Sequence, residues 1–193
     1  MQQDFNIQEF ERYGATSFQL LNFFEVKRVL EEVRSHEFKP APLEHGAGKV
    51  MQEFERASLV RSCAPRTMRA ILLVEQYLRS VILGIPKEFT FNEYVIQRYY
   101  SPRNIGIGPH RDESVFEYVV ASLVLEDGGK FFVSDDKALT NIKHIDATIG
   151  SCIVMKGSIP GQKVIRPIHY VSDVWRERIT IGLRFSQTPQ VSF

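Results

Sequence analysis

"RITIGLRF", residues 178–185, reads as a β-strand in which β-branched and apolar residues interleave with Arg178, Thr180 and Arg184. A strand turns successive side chains to opposite faces, so these three polar residues share one face. The run is the last of six after residue 86. It follows FTFNEYVIQRYY (89–100), VFEYVVASLVL (115–125), KFFVS (130–134), GSCIVMKG (150–157) and KVIRPIHYV (163–171), with glycine, proline and aspartate between them.

Two helices precede the strands. In LLNFFEVKRVLEEVRSHEF (20–38), Phe23, Val26, Val29, Leu30 and Val33 recur at the spacing of one helical face, and Asn22 with Glu25 has the form of a capping box. A second helix begins near Pro65, carries Ile71, Val74, Leu78 and Val81 on one side, and is closed by Gly84 and Pro86. Residues 39–62, between the helices, lack lasting periodicity and read as a long surface loop, a candidate lid offering His45 or Phe54. Helices followed by many short strands predict an α+β fold, a double-stranded β-helix (jelly roll) with N-terminal helices packed on one sheet. We expect a single domain over 1–193, with a helical part at 1–87 and a jelly-roll core at 88–186.

Composition narrows the function. With 44% hydrophobic and 24% charged residues, the 193-residue chain has the balance of a soluble globular domain. No apolar run reaches spanning length and the first residues lack a secretory pattern, so no membrane association is expected. Only Cys63 and Cys152 are available for disulfides, which points to a reducing cytoplasmic setting and does not exclude a nuclear one. A net charge of +1 permits a polyanionic partner without indicating one.

Two of the five histidines stand two residues before an aspartate: His110 with Asp112 in GIGPHRDES (106–114), and His144 with Asp146 in KHIDATIGS (143–151). A mononuclear site of two imidazoles and one carboxylate needs a third ligand from a distant strand. His169 lies 59 residues after His110, far enough for the two to sit on facing sheets, but only 25 after His144. We therefore expect His110, Asp112 and His169 to form the site, and His144 with Asp146 to be a surface pair. Such a triad leaves three metal positions open, which suits Fe(II) holding a bidentate co-substrate and oxygen, whereas zinc is more often closed to four ligands. A dicarboxylate co-substrate needs a cation at its far end. Arg178, nine residues after His169, supplies a planar fork and Thr180 a neighbouring hydroxyl.

At these residues the sequence resembles the Fe(II)- and 2-oxoglutarate-dependent oxygenases, and within them the AlkB-like branch. The resemblance assigns His110, Asp112 and His169 to iron, and Arg178 with Thr180 to the distal 2-oxoglutarate carboxylate. Arg184 matches the second arginine of the AlkB-like branch, near the other end of the co-substrate. Gln97 and Tyr99 resemble its Asn-x-Tyr pair, with glutamine in place of asparagine and Tyr100 an alternative to Tyr99. The interval from His169 to Arg178 is shorter than in many AlkB-like enzymes and nearer that of other 2-oxoglutarate oxygenases. The implied reaction couples 2-oxoglutarate and O2 to hydroxylation or oxidative demethylation of a C–H bond, with release of succinate and CO2. It also implies a mostly apolar pocket, for which Tyr118, Phe132 and Val171 are candidates. Arg98, Arg103 and Arg111 near the mouth keep alkylated nucleic acid open as a substrate, beside a small molecule or a protein side chain. A non-catalytic cupin-like metal-binding module is the alternative of a different class.

Overall fold

The structure is a computed structural model describing residues 4–45, 49–59, 61–100 and 106–187. In chain order the elements are α1 (Ile7–Tyr13), β1 (Ala15–Gln19), α2 (Phe23–Arg34), β2 (Lys39–Pro40), β3 (Glu44–His45), β4 (Val50–Met51), β5 (Glu55–Ser58), α3 (Pro65–Val81), β6 (Glu93–Tyr99), β7 (Ile107–His110), β8 (Val119–Asp127), β9 (Lys130–Ser134), β10 (Lys143–Ile145), β11 (Ser151–Lys156), β12 (Ile168–Ser172) and β13 (Arg178–Arg184). Both helices begin where the sequence signals them. Asn22 Oδ1 accepts from the Phe24 and Glu25 amides while Glu25 Oε2 accepts from Asn22 N at 2.8 Å, and Pro65 opens α3.

The strands form a seven-stranded sheet, β1-β11-β8-β13-β6-β5-β2, and a four-stranded sheet, β10-β9-β12-β7, with a small β3-β4 hairpin beside them. From β6 to β13 the chain passes back and forth between the two large sheets, which is the winding of a double-stranded β-helix. On β13, Ile179, Ile181 and Leu183 turn outward into a core shared with Val26, Val29 and Val33 of α2 and Ile71, Val74 and Leu78 of α3. The opposite face looks between the sheets, where Tyr99, Val120, Val124, Phe131, Val133, Ile153 and Val171 form the second core. The helices thus cover one sheet, as expected of the α+β jelly roll.

The first 87 residues are not purely helical. β1 forms one edge of the larger sheet through its pairing with β11, and α1 precedes it; neither was legible as an element in a short, mixed N-terminal stretch. The 39–62 segment also departs from a simple loop. β5 pairs with β6, and Arg98 on β6 ion-pairs with Glu55 while lying 4.0 Å over the Phe38 ring. β5 reads ERAS, too polar and short to announce a strand, and its pairing comes from the neighbouring edge of the sheet. β7 escaped the sequence reading because Gly108 and Pro109 argue against a strand; it sits at a sheet edge, where proline is tolerated.

Candidate metal and co-substrate site

The site is built between the two sheets, from β7 and β12 on one side and β13 and β6 on the other. His110 and His169 face each other across the β7–β12 pairing, their ring centroids 4.2 Å apart. They therefore occupy neighbouring strands of the smaller sheet, not facing sheets; the 59 intervening residues cross to the larger sheet and return. The close approach depends on Gly106, since a Cβ there would fall inside the Val171 carbonyl. His110 Nδ1 donates to Gly108 O at 2.8 Å, which leaves Nε2 as the lone-pair nitrogen of the neutral ring.

Asp112 lies two residues past the end of β7 and completes the cluster: one donor atom from each of His110, Asp112 and His169 lies within 4.8 Å of the others. Asp112 Oδ2 is 3.6 Å from His169 Nε2, and Oδ1 is 3.5 Å from Arg184 Nη2. Burial works against the charged carboxylate, but Arg184, His169 and His110 outweigh it and hold Asp112 below the usual carboxylate range. His169 is pushed down to about 3, first by burial and next by His110, against the opposing pull of Asp112. Its ring lies 5.7 Å from Phe131 in a stacked arrangement. At neutral pH the cluster offers a neutral imidazole and an ionised carboxylate, the protonation states a divalent metal requires.

On the larger sheet, β13 pairs with β6 so that Arg178 stands opposite Tyr99 and Thr180 opposite Gln97. Arg178 is 1% exposed; its Nη1 donates to Gly129 O at 3.1 Å, its Nε has no hydrogen-bond partner, and no carboxylate pairs with it among the described residues. Burial pushes its guanidinium down from its ordinary value, while Tyr99 and Asp127 pull the other way. Arg184, six residues along the same face, also has a buried Nε without a partner and lies 5.2 Å over Phe116. Buried N–H donors without acceptors are costly, and two on one inner face, together with the triad, fit a small dicarboxylate that also chelates a metal.

The pairing also separates Tyr99 from Tyr100. Tyr99 is buried beside Arg178, and burial raises its phenol; Tyr100 is exposed and donates to Glu55 Oε2 at 3.1 Å. Of the candidate pocket residues, Val171 faces the inter-sheet core, whereas Phe132 turns outward and stacks 5.1 Å from Tyr170, and Tyr118 packs with Phe89 and Phe185. Neither Phe132 nor Tyr118 lines the triad: Phe132 occupies the outward phase of β9, and Tyr118 lies just before β8. His144 and Asp146 are exposed, with His144 on β10 at the opposite edge from β7 and 5.2 Å from Phe132. Arg98 is engaged with Glu55, Arg111 donates to the Arg166 carbonyl, and Arg103 lies outside the described residues. Sequence reasoning missed Gly129, Phe116 and Arg166, whose Nη1 donates to the Asp112 carbonyl at 2.6 Å. Only the Gly128-Gly129 pair between two strands carried a local signal.

No protein-family model and no curated protein sequence matches the chain. Solved structures do. A prolyl hydroxylase from Trichoplax adhaerens, in complex with a hypoxia inducible factor oxygen degradation domain peptide fragment, aligns with a TM-score of 0.68 at 14% identity, over 93% of this chain and 86% of its own. A prolyl-4-hydroxylase from Pseudomonas putida aligns at 0.65 and 15% identity, over 95% and 97%. An oxidoreductase of the 2OG-Fe(II) oxygenase family from Burkholderia pseudomallei aligns at 0.65 and 14%, over 94% and 89%. The chain has the jelly-roll fold of these oxygenases along nearly its whole length.

Proposed function

We propose that the protein is an Fe(II)- and 2-oxoglutarate-dependent oxygenase that hydroxylates a C–H bond, with a protein side chain as its substrate. The observation that carries this reading is the buried Arg178, without an anionic partner among the described residues, on the inner face that also looks toward His110, Asp112 and His169. A metal-binding module without turnover has no use for that guanidinium, which counts against the cupin-like alternative. When bound, iron and 2-oxoglutarate supply the oxidising power, with O2 consumed and succinate and CO2 released. The chain supplies the ligand set, the anchor and a water-poor enclosure.

In this reading His110, Asp112 and His169 hold the metal. Arg178 forms the two-pronged contact to the distal carboxylate, Thr180 adds a hydroxyl, and Tyr99 and Gln97 flank them from β6. Arg184 sets the orientation of Asp112 and faces the opposite end of the co-substrate. The protein-side-chain assignment is supported by the likeness to prolyl hydroxylases and by a net charge of only +1. Oxidative demethylation of alkylated nucleic acid is the second reading, favoured by Arg184, which matches the second arginine of the AlkB-like resemblance and lies beside Asp112. A small-molecule substrate draws on no specific observation.

The test is anaerobic. Purified protein with Fe(II) and 2-oxoglutarate should show the weak visible charge-transfer band of chelated co-substrate, and Asp112→Ala should lose it. Metal binding without a band in the wild-type protein would overturn the proposal.

A further inference from the structure

A groove of about 800 Å³ runs from the C-terminal end of α1, past Leu83 and Tyr118, to the segment before β12. It shares Lys156, Gly157, Arg166 and Pro167 with the narrow cleft beside Asp112 and His169, so the two adjoin along one wall. Three features bear on what it takes.

The first is charge. Of the groove's two acids, Glu11 ion-pairs with Lys156 at 2.7 Å, while Asp135 accepts only from the neutral Asn141 amide at 2.7 Å and keeps its charge. Arg12, Lys163 and Arg166 have no ion pair among the described residues, so against the single charge of Asp135 the uncompensated balance is positive. The second is apolar surface: Leu83 is 100% exposed and Ile165 81%, so both stand at the rim of the groove and offer bare aliphatic surface to a partner. The third is backbone. Residues 163–165 belong to no strand, and among the described residues they make no backbone–backbone hydrogen bond. Three consecutive unpaired residues beside a groove form an edge that an extended chain can pair with. Tyr118, which also lines the groove, is held at φ +61 by bonds from its own amide to Ser158 O and from Gly157 N to its carbonyl, a conformation a bulky residue keeps only where its surroundings enforce it.

We infer that this groove docks an acidic, extended peptide, which adds its backbone to residues 163–165 and its carboxylates to Arg12 and Lys163. The apolar walls and the two isolated cations suit a peptide with alternating apolar and acidic residues better than a polyanion, whose binding draws on a continuous basic surface. The inference rests on the oxygenase reading in that it makes the groove the route by which a protein substrate reaches the metal site.

The experiment uses fluorescein-labelled 12-residue peptide pools of Ala, Val, Leu and Pro, carrying Glu, Lys or Ser at alternate positions, read by anisotropy against the 193-residue chain. The Glu pool should bind at least tenfold tighter than the Lys pool. The double variant Arg12→Glu, Lys163→Glu should reduce that preference about tenfold, while 2-oxoglutarate turnover without added peptide stays unchanged. Amide exchange at 163–165 should slow when the Glu pool binds. Equal binding of the Glu and Lys pools, indifference to the double variant, or tighter binding of a 12-nucleotide oligothymidine through the same residues would each overturn the inference. Absence of succinate from the wild-type protein would instead count against the oxygenase reading, whatever the peptides do.

Discussion

Arg184 and Asp112 meet across the interior of the roll, Nη2 to Oδ1 at 3.5 Å, joining the larger sheet to a residue two positions past the end of the smaller sheet's edge strand. The contact leaves Oδ2 facing His169. Asp112→Ala removes both relationships and leaves a half-buried guanidinium without its carboxylate. We expect loss of metal binding together with a destabilisation of about 1–3 kcal/mol in the metal-free protein. Calorimetric Fe(II) or Co(II) titration and urea melts check the two effects separately; retained metal affinity would refute the ligand assignment.

Arg178 offers the opposite sign. Arg178→Met replaces a buried cation that has no ion pair among the described residues by an apolar side chain of comparable length, so the ligand-free protein should gain stability, on the order of 1 kcal/mol. If 2-oxoglutarate binds as proposed, it should raise the melting temperature of the wild-type protein, and the same variant should lose that rise, because the proposed anchor of the distal carboxylate is gone. A variant that 2-oxoglutarate still stabilises as strongly as wild type would remove Arg178 from the co-substrate site.

Tyr99 and Tyr100 are adjacent in sequence but opposite in environment. Tyr99→Phe should raise the 2-oxoglutarate concentration needed for half-maximal turnover by several-fold. Tyr100→Phe should leave it unchanged and cost under about 1 kcal/mol through the lost bond to Glu55. Steady-state kinetics on both variants decide the matter, and reversed effects would move the contact to Tyr100.

Gly106→Ala should separate β7 from β12. A methyl there meets backbone rather than a yielding side chain, so we expect a loss of about 2 kcal/mol or more, with weakened metal affinity as His110 draws away from His169. Unchanged stability and metal binding in this variant would contradict the register described for these strands.

Glu75 sets a pH dependence remote from the site. Its buried carboxyl accepts from the Phe91 amide at 2.8 Å; burial raises its pKa above the ordinary 4.5, against the pull of that amide, Arg79 and Arg61. The folded protein therefore binds this proton more tightly than the unfolded chain, and stability falls as pH rises through the window above 4.5 before levelling off. Glu75→Gln keeps an acceptor for Phe91 N and removes the buried charge. It should be more stable than wild type at pH 7, and the gap should close as pH falls to 4.5 and below. Urea midpoints at both pH values test this; a pH-independent difference would exclude the mechanism.

Local physics was the legible part of the fold. The Asn22–Glu25 box, Pro65 and the β-branched runs act through near neighbours, so their signals survive without tertiary information. β7 and β5 were hidden because glycine, proline and polar residues there are rescued by pairing with strands distant in sequence. The proposed metal ligands stood out by residue type and spacing, but their placement on one sheet did not, since register is a long-range property. For the same reason the choice between Tyr99 and Tyr100 depended on the partner of Arg178, and Gly129 emerged only through its carbonyl.

The division of labour between the two sheets has a mechanical consequence. His110 and His169 hang from the smaller sheet, while Arg178 and Thr180 hang from the larger. A molecule gripped at both ends is then a strut across the sandwich, and part of its binding energy goes into stopping the two walls from breathing. Ligand occupancy in such a roll is felt as stiffness of the walls themselves, first along the edge strand β7 that carries His110.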